Sequence, residues 1–143
     1  MSKLFLSHAW KHGIHERVKC LARNLSRMGW DVWLDEDQLI KGGDISVGMA
    51  RGIDKSDAVV VFLSEAYMEK TDTGDMKDNV YKEFNYTVFT GKRVIPVVME
   101  TPLLDLNNWP FGVSTMHLCN RLYVDGASGT MLDVSLRIRQ RLI

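Results

Sequence analysis

The sequence predicts an α/β domain whose five parallel strands carry helices on both faces of the sheet. Two observations carry this expectation. Short apolar runs alternate with stretches whose apolar residues recur every three or four positions, so strand alternates with helix. The run Ala58 to Leu63 (AVVVFL) is apolar throughout, without the in-and-out pattern of a half-exposed strand, so both its faces are covered. Strands alternating with helices demand right-handed crossovers, and those make neighbouring strands parallel.

The elements follow in order. Lys3 to Ser7 (KLFLS) reads as the first strand. His12 to Met28 places Ile14, Val18, Leu21, Leu25 and Met28 on one helix face, and Gly29 stands where a helix stops. Trp30 to Leu34 (WDVWL) has the aromatic and branched residues of a second strand, with Trp33 read as core. Asp35 to Gly43 (DEDQLIKGG) is a polar loop ending in two glycines. Asp44 can cap a helix with Ile45, Met49 and Ile53 on its apolar face. After AVVVFL, Ser64 can cap a brief helical turn through Tyr67, and Glu69 to Lys77 reads as loop. Asn79 to Thr90 is a helix with Val80, Phe84 and Val88 on one side, closed by Gly91. Arg93 to Met99 (RVIPVVM) is the next strand, although Pro96 removes a ladder donor and points to an edge. Glu100 to Asn120 is the least regular stretch. Arg121 to Val124 reads as the last strand, before a helix through Leu132, Leu136, Ile138 and Leu142.

Composition narrows the function. A chain of 143 residues with 45% hydrophobic residues suits one globular domain, residues 1–143. The 18 basic and 18 acidic side chains cancel, which argues against nucleic acid or an anionic membrane as partner. The arginines of RIRQRLI read as a solvated face. No apolar run approaches a membrane span, and MSKLFLSH lacks the apolar core of a signal peptide. Cys20 and Cys119 show no zinc or CxxC spacing and read as reduced, buried thiols, so the expected location is cytoplasmic. His8, His12 and His15 cluster without an acid or cysteine at ligand spacing, so no metal is expected. No GxGxxG or P-loop occurs, so neither a hydride-transfer dinucleotide nor ATP hydrolysis has its phosphate cradle.

For this size the flavodoxin-like strand order 2-1-3-4-5 is expected. Ligands then bind beyond the carboxyl ends of the strands, where the order reverses between strands one and three. The loops after strands one, two and three converge there, and Glu83, early on its helix, can reach the same crevice.

These residues resemble a TIR (Toll/interleukin-1 receptor) domain over essentially the whole chain. The resemblance rests on LFLSHAW, then GWDVWLDEDQLIKGGD with the connection called the BB loop, then IDKSDAVVVFLSEAY, KDNVYKEF and GKRVIPVVM, in that order and spacing. It implies that a proline in the fourth strand is ordinary. The chain is most similar to the NAD-cleaving branch, where a glutamate in a WxxE-like or KxWxxKE-like segment is catalytic. KDNVYKE matches, with Glu83 as the carboxylate and Asn79 where a tryptophan often stands. Receptor and adaptor TIR domains that signal by assembly usually lack this glutamate.

The resemblance implies NAD as substrate, with no cofactor. Cleaving the nicotinamide–ribose bond passes through an oxocarbenium-like state, as glycoside cleavage does. A carboxylate near the ribose stabilises that cation. The base leaves neutral from a cationic precursor, so no strong general acid is needed. Ser7, His8 and Trp10 on the first loop are candidates to contact phosphate or stack on a ring, and Asn79, Asp37 and Lys41 are further substrate-side candidates. Leu39 and Ile40, aliphatics in a polar loop, are candidates for self-association. Two other readings stand beside this one: a non-catalytic module that assembles through its BB loop, and another small flavodoxin-like domain. Of the latter, a phosphoacceptor receiver needs acids at the end of strand one, where LFLSH has none, and a nucleoside deoxyribosyltransferase is the other candidate.

Overall fold

The computed structural model describes residues 2–34 and 45–143. Its sheet has five parallel strands in the order 2-1-3-4-5: β1 (Lys3–Ser7), β2 (Asp31–Leu34), β3 (Ala58–Leu63), β4 (Val94–Val98) and β5 (Val124–Asp125). The helices are α1 (Ile14–Arg27), α2 (Ile45–Lys55), α3 (Glu65–Thr71), α4 (Asn79–Thr90), α5 (Val113–Leu118) and α6 (Met131–Leu142). The expected fold and strand order are therefore those observed.

Strand alternation sorts the core into two layers. Leu4, Leu6, Val60, Phe62, Ile95 and Val97 face α1 and α6, meeting Val18, Leu21, Leu25, Val134 and Ile138. Phe5, Val59, Val61, Leu63, Val94 and Val98 face the other helices, meeting Ile53, Tyr67, Met68, Val80 and Phe84. All six residues of β3 are buried, which is why AVVVFL shows no alternation.

Pro96 does not put β4 at an edge, since β4 lies between β3 and β5. Alternate residues of a strand turn their backbone groups to opposite neighbours. The Arg93 carbonyl accepts from Val59 N and Met99 N donates to Leu63 O, so the odd-numbered residues serve β3. The Val98 carbonyl accepts from Gly126 N, so the even-numbered residues, Pro96 among them, face β5. The β5 ladder begins only at Val97, opposite Val124. The missing donor thus points to where the neighbouring strand has not yet started.

Several local readings are corrected. The helix capped by Ser64, whose hydroxyl accepts from Tyr67 N at 3.1 Å, runs on through Thr71. β5 holds two residues, not the run Arg121 to Val124. The stretch after β4 contains two 3-10 turns and α5. On α6 the buried residues are Val134, Ser135 and Ile138, and Leu132 and Leu136 are exposed. The arginines of that helix are not all a solvated face: Arg137 donates to the carbonyls of Asp125 and Ser128, and Arg141 to those of Leu122 and Tyr123. Both cysteines are free thiols, but Cys20 is only half-buried and Cys119 is exposed. The Asp44 cap and the loop Asp35 to Gly43, with Asp37, Leu39, Ile40 and Lys41, lie outside the described residues.

Candidate functional site

Local sequence fixes where Glu83 sits. The Asp78 side chain accepts from Val80 N at 2.8 Å and Tyr81 N at 3.2 Å, capping α4. Lys70 Nζ holds the other Asp78 oxygen at 3.2 Å. Gly91, with φ 69°, ends the helix in the left-handed conformation that suits glycine. Between these stops Phe84 is driven into the core, where its ring meets that of Tyr67 edge-on at 6.3 Å. Its neighbour Glu83 is carried inward with it and is only 2% exposed.

Glu83 lines a cavity of about 370 Å³ between α2 and α4. Met49, Ala50 and Ile53 of α2 form one wall, and Tyr81, Lys82, Asn85, Tyr86 and Phe89 of α4 the other. Met76, ahead of α4, also contributes. A carboxylate among largely apolar walls is costly to desolvate, and such groups gather where charge is used.

The two walls are tied at one end. Tyr86 Oη donates to Asp54 Oδ1 at 2.8 Å and Oδ2 at 3.0 Å, joining α4 to α2. That hydrogen bond to Asp54 raises the pKa of the phenol above its ordinary value, so it stays protonated. Lys92 Nζ donates to the carbonyls of Asp54 and Ser56, each at 2.8 Å. Gly52 lets α2 lie against Trp33 and Phe5, since a Cβ there would stand 2.9 Å from Trp33 Cε2. Trp33 stacks on Phe5 with ring centroids 6.2 Å apart and packs against the core, as its strand position suggests.

The candidates of the first loop are placed otherwise. Ser7 is 1% exposed, and its Oγ lies 2.8 Å from Tyr67 Oη. His8 is buried with its Nε2 2.8 Å from His15 Nδ1. Burial first, and His15 second, push the His8 imidazole down to about 4. The Trp10 indole lies on His15 with centroids 3.8 Å apart and is 62% exposed. Asn79 is exposed at the first position of α4. None of these four is among the residues that line the Glu83 cavity. Among the described residues, no group of three or more His, Cys, Asp or Glu is placed to hold a metal ion. No helix among them is long and apolar enough to cross a membrane.

Sequence reasoning missed Tyr86, Asp54, Met49, Met76 and Phe89 as parts of this site. Tyr86 was within reach, because a residue three after Glu83 shares its helix face. The α2 wall had no such signal, since only the folded sheet brings α2 and α4 together.

Comparisons with known proteins agree with this architecture. The family model described as TIR domain matches residues 4–128. The chain is 26% identical over 106 residues to "Probable 2' cyclic ADP-D-ribose synthase TcpO" of Methanobrevibacter olleyae, a match that covers 74% of this chain and 30% of that relative. The chain thus spans about a third of the relative's length. Among solved structures it is similar to a prokaryotic SEFIR domain, with TM-score 0.73, 24% identity, and coverage of 100% of this chain and 99% of the other. The TIR domains of the activated Roq1 resistosome match with TM-score 0.70 and 18% identity over 100% of both chains. A Clostridium botulinum CMP N-glycosidase, BcmB, matches with TM-score 0.58 and 18% identity over 99% of this chain and 97% of that one.

Proposed function

This chain belongs to the TIR domain family, and from that premise we propose that it cleaves the nicotinamide–ribose bond of NAD with Glu83 as the catalytic carboxylate. One observation carries the reading: the glutamate of KDNVYKE is buried in the wall of a cavity large enough for a ring and its sugar. As the base departs, positive charge develops on the ribosyl carbon and ring oxygen. A carboxylate already desolvated and held by a helix stabilises that charge without reorganising. Water capture of the cation gives ADP-ribose, and capture by a hydroxyl of the same molecule gives a cyclic nucleotide. The name of the Methanobrevibacter relative is in keeping with the second outcome. NAD is the substrate, and the protein supplies no cofactor.

Self-association completes the site in this reading. Met76 and Phe89, 67% and 87% exposed, stand at the cavity and offer apolar surface to a neighbouring copy, as Leu39 and Ile40 do from the BB loop by sequence. The same exposed side chains favour the second reading, an assembly module without turnover.

The test is purified protein incubated with NAD at high concentration and under crowding, with nicotinamide and the nucleotide product followed. Glu83→Gln keeps the size and removes the charge. It lowers turnover about a hundred- to a thousandfold, on the order of 3 to 4 kcal/mol, while the protein stays folded. Near-normal turnover in the variant removes Glu83 from the chemistry. Absence of turnover in the unmutated protein, together with concentration-dependent association, leaves the assembly module.

A further inference from the structure

We propose that Tyr86 determines base specificity in the Glu83 cavity, its ring forming the wall on which the departing pyridine base stacks, with Asp54 as the positioning residue that holds the ring. This rests on the NAD-cleaving reading and names which end of the dinucleotide enters. Tyr86 follows Glu83 by three residues, so both project onto one strip of α4 and line the same cavity. An unanchored phenol samples several rotamers. Here the hydroxyl donates to both Asp54 oxygens, at 2.8 and 3.0 Å, and the ring is held at both ends.

The anchor is itself fixed. Asp54 lies on the last turn of α2, and its carbonyl and that of Ser56, just past the helix, accept from Lys92 Nζ. Ser56 Oγ closes that turn on Gly52 O at 2.6 Å, and Gly52 seats the helix against Trp33. A hydroxyl that donates to a carboxylate also enriches its ring in electrons, which suits a cationic partner. Lys82 and Asn85 are polar residues of the remaining wall, and the apolar part, Met49, Ile53, Met76 and Phe89, suits a flat ring. The pyridinium is the one part of NAD that is both flat and cationic.

The test uses 1-methylnicotinamide, a pyridinium that cannot be cleaved by this reaction, alongside NAD kinetics. With the unmutated protein its ring protons move upfield on titration, as expected for stacking on an aromatic face. Tyr86→Ala weakens this binding roughly 10- to 100-fold and raises KM for NAD by a similar factor, with kcat held. Tyr86→Phe and Asp54→Ala each weaken it less, and the double variant is no worse than either, because both remove the same tie. Asp54→Asn retains an acceptor and most of the binding. A purely structural role for the tie lowers the melting temperature of these variants and leaves the ring shifts and KM alone. The proposal is overturned if Tyr86→Ala binds the pyridinium as the unmutated protein does, or if the unmutated protein does not bind it. Should Tyr86→Phe bind as weakly as Tyr86→Ala, the ring has no role of its own and the proposal again fails. Pyridinium binding through Tyr86 without nicotinamide release from NAD overturns the NAD-cleaving reading and leaves the Tyr86 assignment standing.

Discussion

Removing the Tyr67 hydroxyl tests how the core around Phe84, the neighbour of Glu83, is built. Tyr67 and Ser7 are both fully buried, and their hydroxyl oxygens lie 2.8 Å apart. Tyr67→Phe keeps the ring and its edge-on contact with Phe84, the residue beside Glu83. It leaves the Ser7 hydroxyl buried without the phenol. Orphaning a buried hydroxyl costs about 1 to 3 kcal/mol, more than the net worth of a neutral hydrogen bond. For a domain of this size each kcal/mol lowers the melting temperature by about 4 °C. Ser7→Ala makes the complementary cut. In the double variant neither polar group remains, so its loss is smaller than the sum of the single losses by about 1 to 2 kcal/mol. Urea unfolding of the four proteins measures this coupling, provided the denaturant slope is unchanged. Single variants within 0.3 kcal/mol of the parent, or strictly additive losses, would refute the reasoning, because the pair would then not be acting as a buried unit.

Other outcomes follow from geometry already described. The His8 imidazole titrates near 4 in the fold and near 6.5 in the unfolded chain, so the unfolded state takes up the proton first. Stability therefore falls as pH drops from about 6.5 to about 4, by on the order of 3 kcal/mol in all; the melting curve of His8→Gln, subtracted from that of the parent, should show this window and no other. Gly126→Ala places a Cβ 2.6 Å from Val97 Cγ1 and 2.9 Å from the Val98 carbonyl oxygen. Backbone cannot yield as a side chain tip does, so a loss of about 1 to 3 kcal/mol is expected on chemical denaturation. Pro96→Ala leaves the β3 ladder untouched and costs within about 1 kcal/mol, chiefly by loosening the unfolded chain; a loss above about 2 kcal/mol would mean that the proline nitrogen faces a working ladder after all.

That the sheet is parallel and covered on both faces was legible because AVVVFL is apolar at every position, while the strand order rested on the size of the domain. The end of helix α4 was legible because Gly91 is local chemistry, whereas the Asp78 cap at its start was not read from the sequence. β5 was read too long because Arg121 to Tyr123 look like strand by residue type, whereas the ladder to β4 reaches only Val124 and Asp125. The face of α6 was misread because Leu132 and Leu136 promise more burial than the sheet beneath can give, and Val134 and Ile138 occupy that contact instead. Glu83 was found from its segment, and its burial follows from Phe84 beside it. Ser7 and His8 were read as loop residues facing a ligand, yet both turn inward to partners sixty and seven residues away, Tyr67 and His15. Such pairings depend on which helices the sheet brings overhead, and no local pattern records them.

The two arginines that reach back from α6 decide where this sheet can grow. The last strand of an open sheet offers a row of carbonyls to any extended chain that drifts past, and so invites runaway pairing. Just past β5, Gly126 N turns toward β4, so by alternation Asp125 and, ahead of the strand, Tyr123 turn their carbonyls outward. Those are the carbonyls that Arg141 and Arg137 occupy, at 3.3 and 2.9 Å. A stray strand arriving there finds its docking points taken by charged groups that water keeps well solvated. Copies of this domain are thereby steered away from edge-to-edge fusion at β5.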